Sequence, residues 1–130
     1  MQIHRKGSGP NDPAPESAFT GEVLISGYFS RDAPSRLNGA AAAFAPGART
    51  PWKTNPCGQT LIVIDGVGWA QSEGEQIVEI RAGDLIWFAP GQRHWEGATP
   101  DHGMTYIALQ EAGVDFGERV TDAQYRAGPG

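Results

Sequence analysis

A chain of 130 residues fits one domain, because a domain of this size buries roughly two-thirds of the surface that its unfolded chain exposes. Its net charge of -5 and scattered Lys and Arg exclude a general nucleic-acid binder, whose phosphate affinity needs clustered cations. A single Cys leaves no intramolecular disulfide; with no charged-then-apolar leader and no apolar run near ~18 residues, the expectation is a cytoplasmic protein that does not bind membranes.

The first segment, Met1–Ala18, is polar and Pro-rich without apolar periodicity, which predicts an extended arm ahead of one domain over 19–130. From there 18 Gly and 10 Pro along the chain leave short apolar runs: Glu22–Ser30, Ala40–Ala45, Thr60–Asp65, Val67–Gln71, Gln76–Ile80, Asp84–Phe88, Arg93–Gly97 and Met104–Gln110. These read as strands, and Asp65-Gly66 between two of them predicts a tight hairpin, since a primed turn needs positive φ. Many short strands at this spacing predict an all-β barrel or jelly roll. Thr121–Arg126 predicts a short terminal helix, with Thr121 as cap and Asp122 facing the helix dipole.

Motif spacing sharpens the fold. Gly47, Lys53, Asn55, Gln59 and Gly66 fall without a gap on the places that the first cupin motif gives to glycine, a histidine-x-histidine pair, Glu or Gln, and glycine. Gly83, Gly91 and His94 match the second motif, with Ala89 in place of its first proline and Pro90 after it. The phrases Phe44-Ala45-Pro46-Gly47-Ala48-Arg49-Thr50, Gly58-Gln59-Thr60-Leu61-Ile62-Val63, Gly91-Gln92-Arg93-His94-Trp95 and Val120-Thr121-Asp122-Ala123-Gln124-Tyr125 are similar to those of small single-domain cupins that include the manganese-dependent bacterial hydroxynitrile lyases. The resemblance covers nearly the whole chain and implies a single cupin β-barrel that pairs into a homodimer. It departs where both histidines of the pair are replaced, by Lys53 and Asn55, and where a further histidine of the relatives is Tyr106.

In a cupin the residues matching Lys53 and Asn55 point inward, and period-two alternation places Gln59, His94, Glu96, Met104, Tyr106, Ala108 and Gln110 on interior faces. Each unpaired buried polar group costs about 1–3 kcal/mol, so a polar interior of this kind predicts a cavity with a task. A metal fits the pattern poorly: an ammonium repels a divalent cation and Asn55 offers only a neutral carbonyl oxygen. The expectation is no cofactor and no tightly bound metal, the alternative being a weak residual site at Gln59, His94 and Glu96.

Acid–base chemistry is what the remaining groups offer. A charged Lys53 replaces a metal's positive charge at an oxyanion; a neutral one is a base or a Schiff-base nucleophile. His94 is the proton shuttle, with Glu96 or Tyr106 to orient it or serve as acid. Asn55, Gln59, Gln110, Trp52, Met104 and Cys57 are the candidate substrate-binding residues, with Cys57 also readable as an inert filler. The alternatives are a metal-independent lyase, isomerase or cyclase acting on a small molecule beside a carbonyl-like group, and a non-catalytic barrel that binds a small ligand, Lys53 and Glu96 then forming a structural salt bridge.

Overall fold

Because Gly and Pro interrupt the chain so often, apolar side chains are gathered by pairing short strands, as the computed structural model of residues 1–130 displays. In chain order these are β1 (Asn11–Pro13), β2 (Val23–Ser30), β3 (Asn38–Phe44), β4 (Lys53–Thr54), β5 (Gln59–Ser72), β6 (Val78–Arg81), β7 (Leu85–Phe88), β8 (His94–Ala98), β9 (Met104–Gln110) and β10 (Asp115–Phe116). They pair antiparallel along the path β1-β2-β3-β9-β5-β8-β4-β10, with β6 and β7 also on β5. The sheet curls into the expected all-β cupin architecture, and most of the expected runs lie within a residue or two of these bounds.

Alternation fills the barrel. Leu61 and Val63 on β5 are buried while Ile64 faces out, and they meet Phe44, Phe88, Met104 and Tyr106 in the main core. A second cluster, Trp52, Ile77, Trp95, Val120 and Tyr125, seats the only helix, α1 (Asp122–Arg126). Thr121 caps that helix as its composition predicts: its hydroxyl accepts from the Gln124 amide, and the Gln124 side chain accepts from the Thr121 amide. No helix is long and apolar enough to cross a membrane. The N-terminal segment is extended, yet Asn11–Pro13 pairs with β2 and Ala14 packs into the core, so the far half of the arm belongs to the barrel wall.

One expectation is corrected. Asp65-Gly66 is not a hairpin: the runs Thr60–Asp65 and Val67–Gln71 are one 14-residue strand, β5, with a shift in register against β9 between Val63 and Asp65. Gly66 does have positive φ, 79°, but inside the continuous strand, two residues past the irregularity at Ile64, where the strand passes from β7 and β9 on one side to β6 and β8 on the other. A Cβ at Gly66 would stand 1.9 Å from the Gly103 carbonyl oxygen. Gly66→Ala should therefore cost more than about 1 kcal/mol, seen as a lower urea midpoint at unchanged slope. A midpoint equal to that of the wild type refutes this account of Gly66.

Candidate functional site

Strand β4 is two residues long and pairs with β8 at Lys53 opposite His94. Opposed residues share a face, and Glu96 lies two positions along β8 from His94, so all three meet inside the barrel. The first residue of β5 brings Gln59, and β9 brings Tyr106 and Gln110 on alternate positions. Lys53 Nζ donates to Glu96 Oε1 and to Gln59 Oε1, each at 2.6 Å. Tyr106 Oη donates to the same Glu96 Oε1 at 2.7 Å. The other carboxylate oxygen, Oε2, is buried without a hydrogen-bond partner.

His94 completes the cluster. Its ring stacks on Phe88 at 3.7 Å between centroids, and Nδ1 lies 2.8 Å from the Gln92 carbonyl oxygen. A carbonyl only accepts, so Nδ1 carries hydrogen and the neutral ring turns the Nε2 lone pair toward Gln59 Oε1 at 3.3 Å and Glu96 Oε2 at 3.8 Å. Three acceptors thus face one another beside a single ammonium.

Burial sets the charge states. It pulls Lys53 below its ordinary pKa against the opposing pull of Glu96, and it lowers His94, keeping the imidazole neutral. Burial pushes Glu96 upward, but the Lys53 charge, with His94 and the Lys53 and Tyr106 hydrogen bonds, outweighs it and holds the carboxyl below its ordinary value. Tyr106 is raised well above its ordinary value by burial and then by the Glu96 charge, so the phenol keeps its proton. The pair is an ion pair whose ammonium is the more easily discharged member.

Above this cluster opens a cavity of about 110 Å³. Lys53, Gln59, Tyr106, Gln110 and Thr50 form its polar end, and Phe19, Ile25, Ala42, Ala108, Val114 and Phe116 much of its apolar wall. His94 and Glu96, both fully buried, lie behind Lys53 and Tyr106 and do not line it. Of the substrate-binding candidates, Gln59 and Gln110 line the cavity. Asn55 is buried but donates to the Gly113 carbonyl oxygen at 3.4 Å, leaving Oδ1 unpaired. Trp52 belongs to the second apolar cluster and donates to Gln124 Oε1; Met104 is core; Cys57 is exposed. None of these four lines the cavity.

Sequence reasoning missed Asn38. Gln59 Nε2 donates to Gln110 Oε1 at 3.1 Å, and Gln110 Nε2 donates to Asn38 Oδ1 at 2.6 Å. This relay fixes which way the Gln59 amide faces and so presents its oxygen to Lys53. The readable signal beside it was Ala40-Ala41-Ala42: small side chains on a barrel strand leave room for a ligand.

The metal that the resemblance implies does not fit these donors. No three of the His, Cys, Asp and Glu side chains converge on one point, and the place between Gln59 Oε1 and Glu96 Oε1 belongs to the Lys53 ammonium. A divalent ion there would meet a positive charge where it needs a lone pair.

Comparison with known proteins gives a consistent placement. Residues 41–109 match the family model of the cupin domain. The chain is 49% identical over 130 residues to a protein of Granulicella tundricola named (R)-mandelonitrile lyase, covering 97% of this chain and 99% of the relative. A cupin-like protein of Thermotoga maritima has a similar structure, with a TM-score of 0.84 at 29% identity over 99% of this chain and 98% of that one. A polyketide cyclase of Streptomyces resistomycificus shares the fold with a TM-score of 0.75 at 13% identity, over 97% of this chain and 91% of that one.

Proposed function

This chain belongs to the cupin family, and we propose that it is a small-molecule enzyme of lyase, isomerase or cyclase type that works by proton transfer without a tightly held metal. The observation that carries the reading is one buried carboxylate oxygen, Glu96 Oε1, shared by Lys53 Nζ at 2.6 Å and Tyr106 Oη at 2.7 Å, both of which line a mostly apolar cavity. Lys53 and Tyr106 touch the ligand. The ammonium stabilises negative charge developing on a substrate oxygen, in a dry site where such charge is otherwise costly. Tyr106 lends its proton to that oxygen and takes it back when the oxygen is discharged, while the Glu96 carboxylate stays ionised beside it. His94 Nε2 lies 3.8 Å from Glu96 Oε2, beyond a hydrogen bond, so the neutral ring flanks the carboxylate and acts through it as a positioning residue. The 49% identity to a protein named a lyase supports the class.

A second reading has its own support. Lys53 and Glu96 are almost completely buried and already hydrogen-bonded, which a structural ion pair in a ligand-binding barrel also requires.

The test uses chelator-treated protein and (R)-mandelonitrile, the compound in the relative's name, with release of benzaldehyde followed optically. Tyr106→Phe should lower kcat by about 10²–10⁴-fold with KM little changed, the range of a lost proton-transfer group. His94→Gln should lower kcat and displace the pH profile. Turnover that appears only when a divalent metal is restored, or a kcat unmoved in both variants, refutes the proton-transfer reading. Binding of benzaldehyde with no turnover favours the ligand-binding barrel.

A further inference from the structure

The chain holds only two lysines, Lys6 in the exposed arm and Lys53 in the cavity. Lys53 has what amine chemistry needs. Its nitrogen lies at the polar end of a mostly apolar cavity, a carboxylate oxygen 2.6 Å away can take its proton, and a phenol sits on that same oxygen at 2.7 Å. The cavity holds about 110 Å³ and is not enclosed; a sealed apolar cavity of ~150 Å³ takes a benzene ring, so only a small ligand fits, with part of it toward the opening. Its polar end offers an ammonium and two amides, suited to one oxygen, and its far wall of Phe19, Ile25, Val114 and Phe116 suits a small apolar body.

From this geometry we infer that Lys53 forms an imine with small apolar aldehydes or ketones. The inference rests on the reading that the Lys53 cavity is the reaction site, and it adds a covalent step. Glu96 Oε1 takes one proton from the ammonium. The freed lone pair attacks the carbonyl carbon, forming the C–N bond and opening the C=O π bond onto oxygen. Tyr106, which lines the cavity where Glu96 does not, passes its proton to that oxygen and is reprotonated from Glu96. A second proton leaves the nitrogen for Glu96 and returns through Tyr106 to the hydroxyl, which departs as water while C=N closes. In sum an ammonium and a carbonyl compound give an iminium ion and water; Glu96 and Tyr106 end as they began, and no oxidant or reductant is consumed. Burial, by lowering the Lys53 pKa, makes the first proton loss easier.

The experiment incubates the full-length protein at neutral pH with benzaldehyde and cyanoborohydride, which reduces an imine to a stable secondary amine. Intact-mass and peptide analysis then read where one benzyl group has been added. The expected result is labelling of Lys53 at least tenfold faster than of Lys6, lost in Lys53→Arg and slowed at least tenfold in Tyr106→Phe while Lys6 labels at its former rate. Labelling confined to Lys6 and the N-terminal amine, or equal rates at the two lysines, overturns the inference, and this needs only the wild-type protein, so a variant that folds poorly does not blunt it. Because trapping is read without turnover, it separates from the proton-transfer reading: turnover that depends on Tyr106 in a protein whose Lys53 is never trapped sinks the imine alone.

Discussion

Lys53→Met, made while Glu96 is kept, should lower the stability of the fold by about 3–5 kcal/mol, because it strands a carboxylate whose other oxygen already lacks a partner. In a domain of this size that is a fall in Tm of roughly 10–20 °C. Changing both partners, Lys53→Met with Glu96→Gln, should recover most of the loss, since a neutral amide has far less to lose by burial than a bare carboxylate. Thermal melting of the wild type, the single and the double variant gives the comparison. Equal costs for the single and the double would mean that the ion pair is solvated in solution and that the site is wetter than its burial indicates. The pH dependence has a definite sign. Glu96 is held below its ordinary carboxyl value, so its contribution is present above that value and is lost as pH falls through the lowered one. His94, also lowered, acts in the same direction: below its ordinary value of 6.5 the unfolded chain takes up a proton that the fold refuses. Acid should therefore weaken the wild type by more than it weakens a variant lacking both Glu96 and His94.

The second large effect is a gain of metal. Lys53→His with Asn55→His replaces the ammonium between Gln59 and Glu96 by an imidazole beside Gln59 Oε1, His94 Nε2 and the unpaired Glu96 Oε2, and puts a second imidazole at buried position 55. Such a set suits manganese, iron, nickel or zinc. The double variant should rise from well under one metal ion per chain to near one after dialysis. Added metal should also raise its Tm, by the equivalent of about 2.7 kcal/mol at a hundredfold excess over Kd. The single variant Lys53→His distinguishes the contributions, because Asn55 donates to the Gly113 carbonyl rather than to the cluster. A double variant that folds normally and binds metal no better than its parent would show that these positions do not converge.

Periodicity made much of this legible. Tyr106 and Gln110 follow from alternation on one strand, which depends only on local geometry, and Lys53, Gln59 and His94 from the resemblance to the cupin motifs. Glu96 follows from His94 by the same alternation. Asn55 rests on the resemblance instead: β4 ends at Thr54, and the buried Asn55 amide donates to the Gly113 carbonyl while its Oδ1 stays unpaired. Asn38 was hidden because its partner, Gln110, sits on a strand far along the chain, and no local pattern encodes an amide relay between strands. Cavity walls from Phe19, Val114 and Phe116 come from segments without a repeating pattern. At Asp65-Gly66 the residue chemistry was right and the conformation was not, because a glycine with positive φ also fits within a continuous strand and not only in a primed turn.

The continuity of β5 governs how the barrel comes apart. A hairpin at Gly66 would have produced two short strands, each owned by one sheet, and either sheet could then have frayed while the other stayed closed. The continuous β5 instead hydrogen-bonds to β7 and β9 through one half and to β6 and β8 through the other. Partial opening of either side must drag the shared strand, and Gln59 at its first residue is pulled from Lys53 with it. Both ends of β5 meet at the site, Gln59 beside Lys53 and Ser72 paired with His94, so the site and the whole strand are members of one cooperative unit, and the slowest amide exchange in the chain belongs along β5.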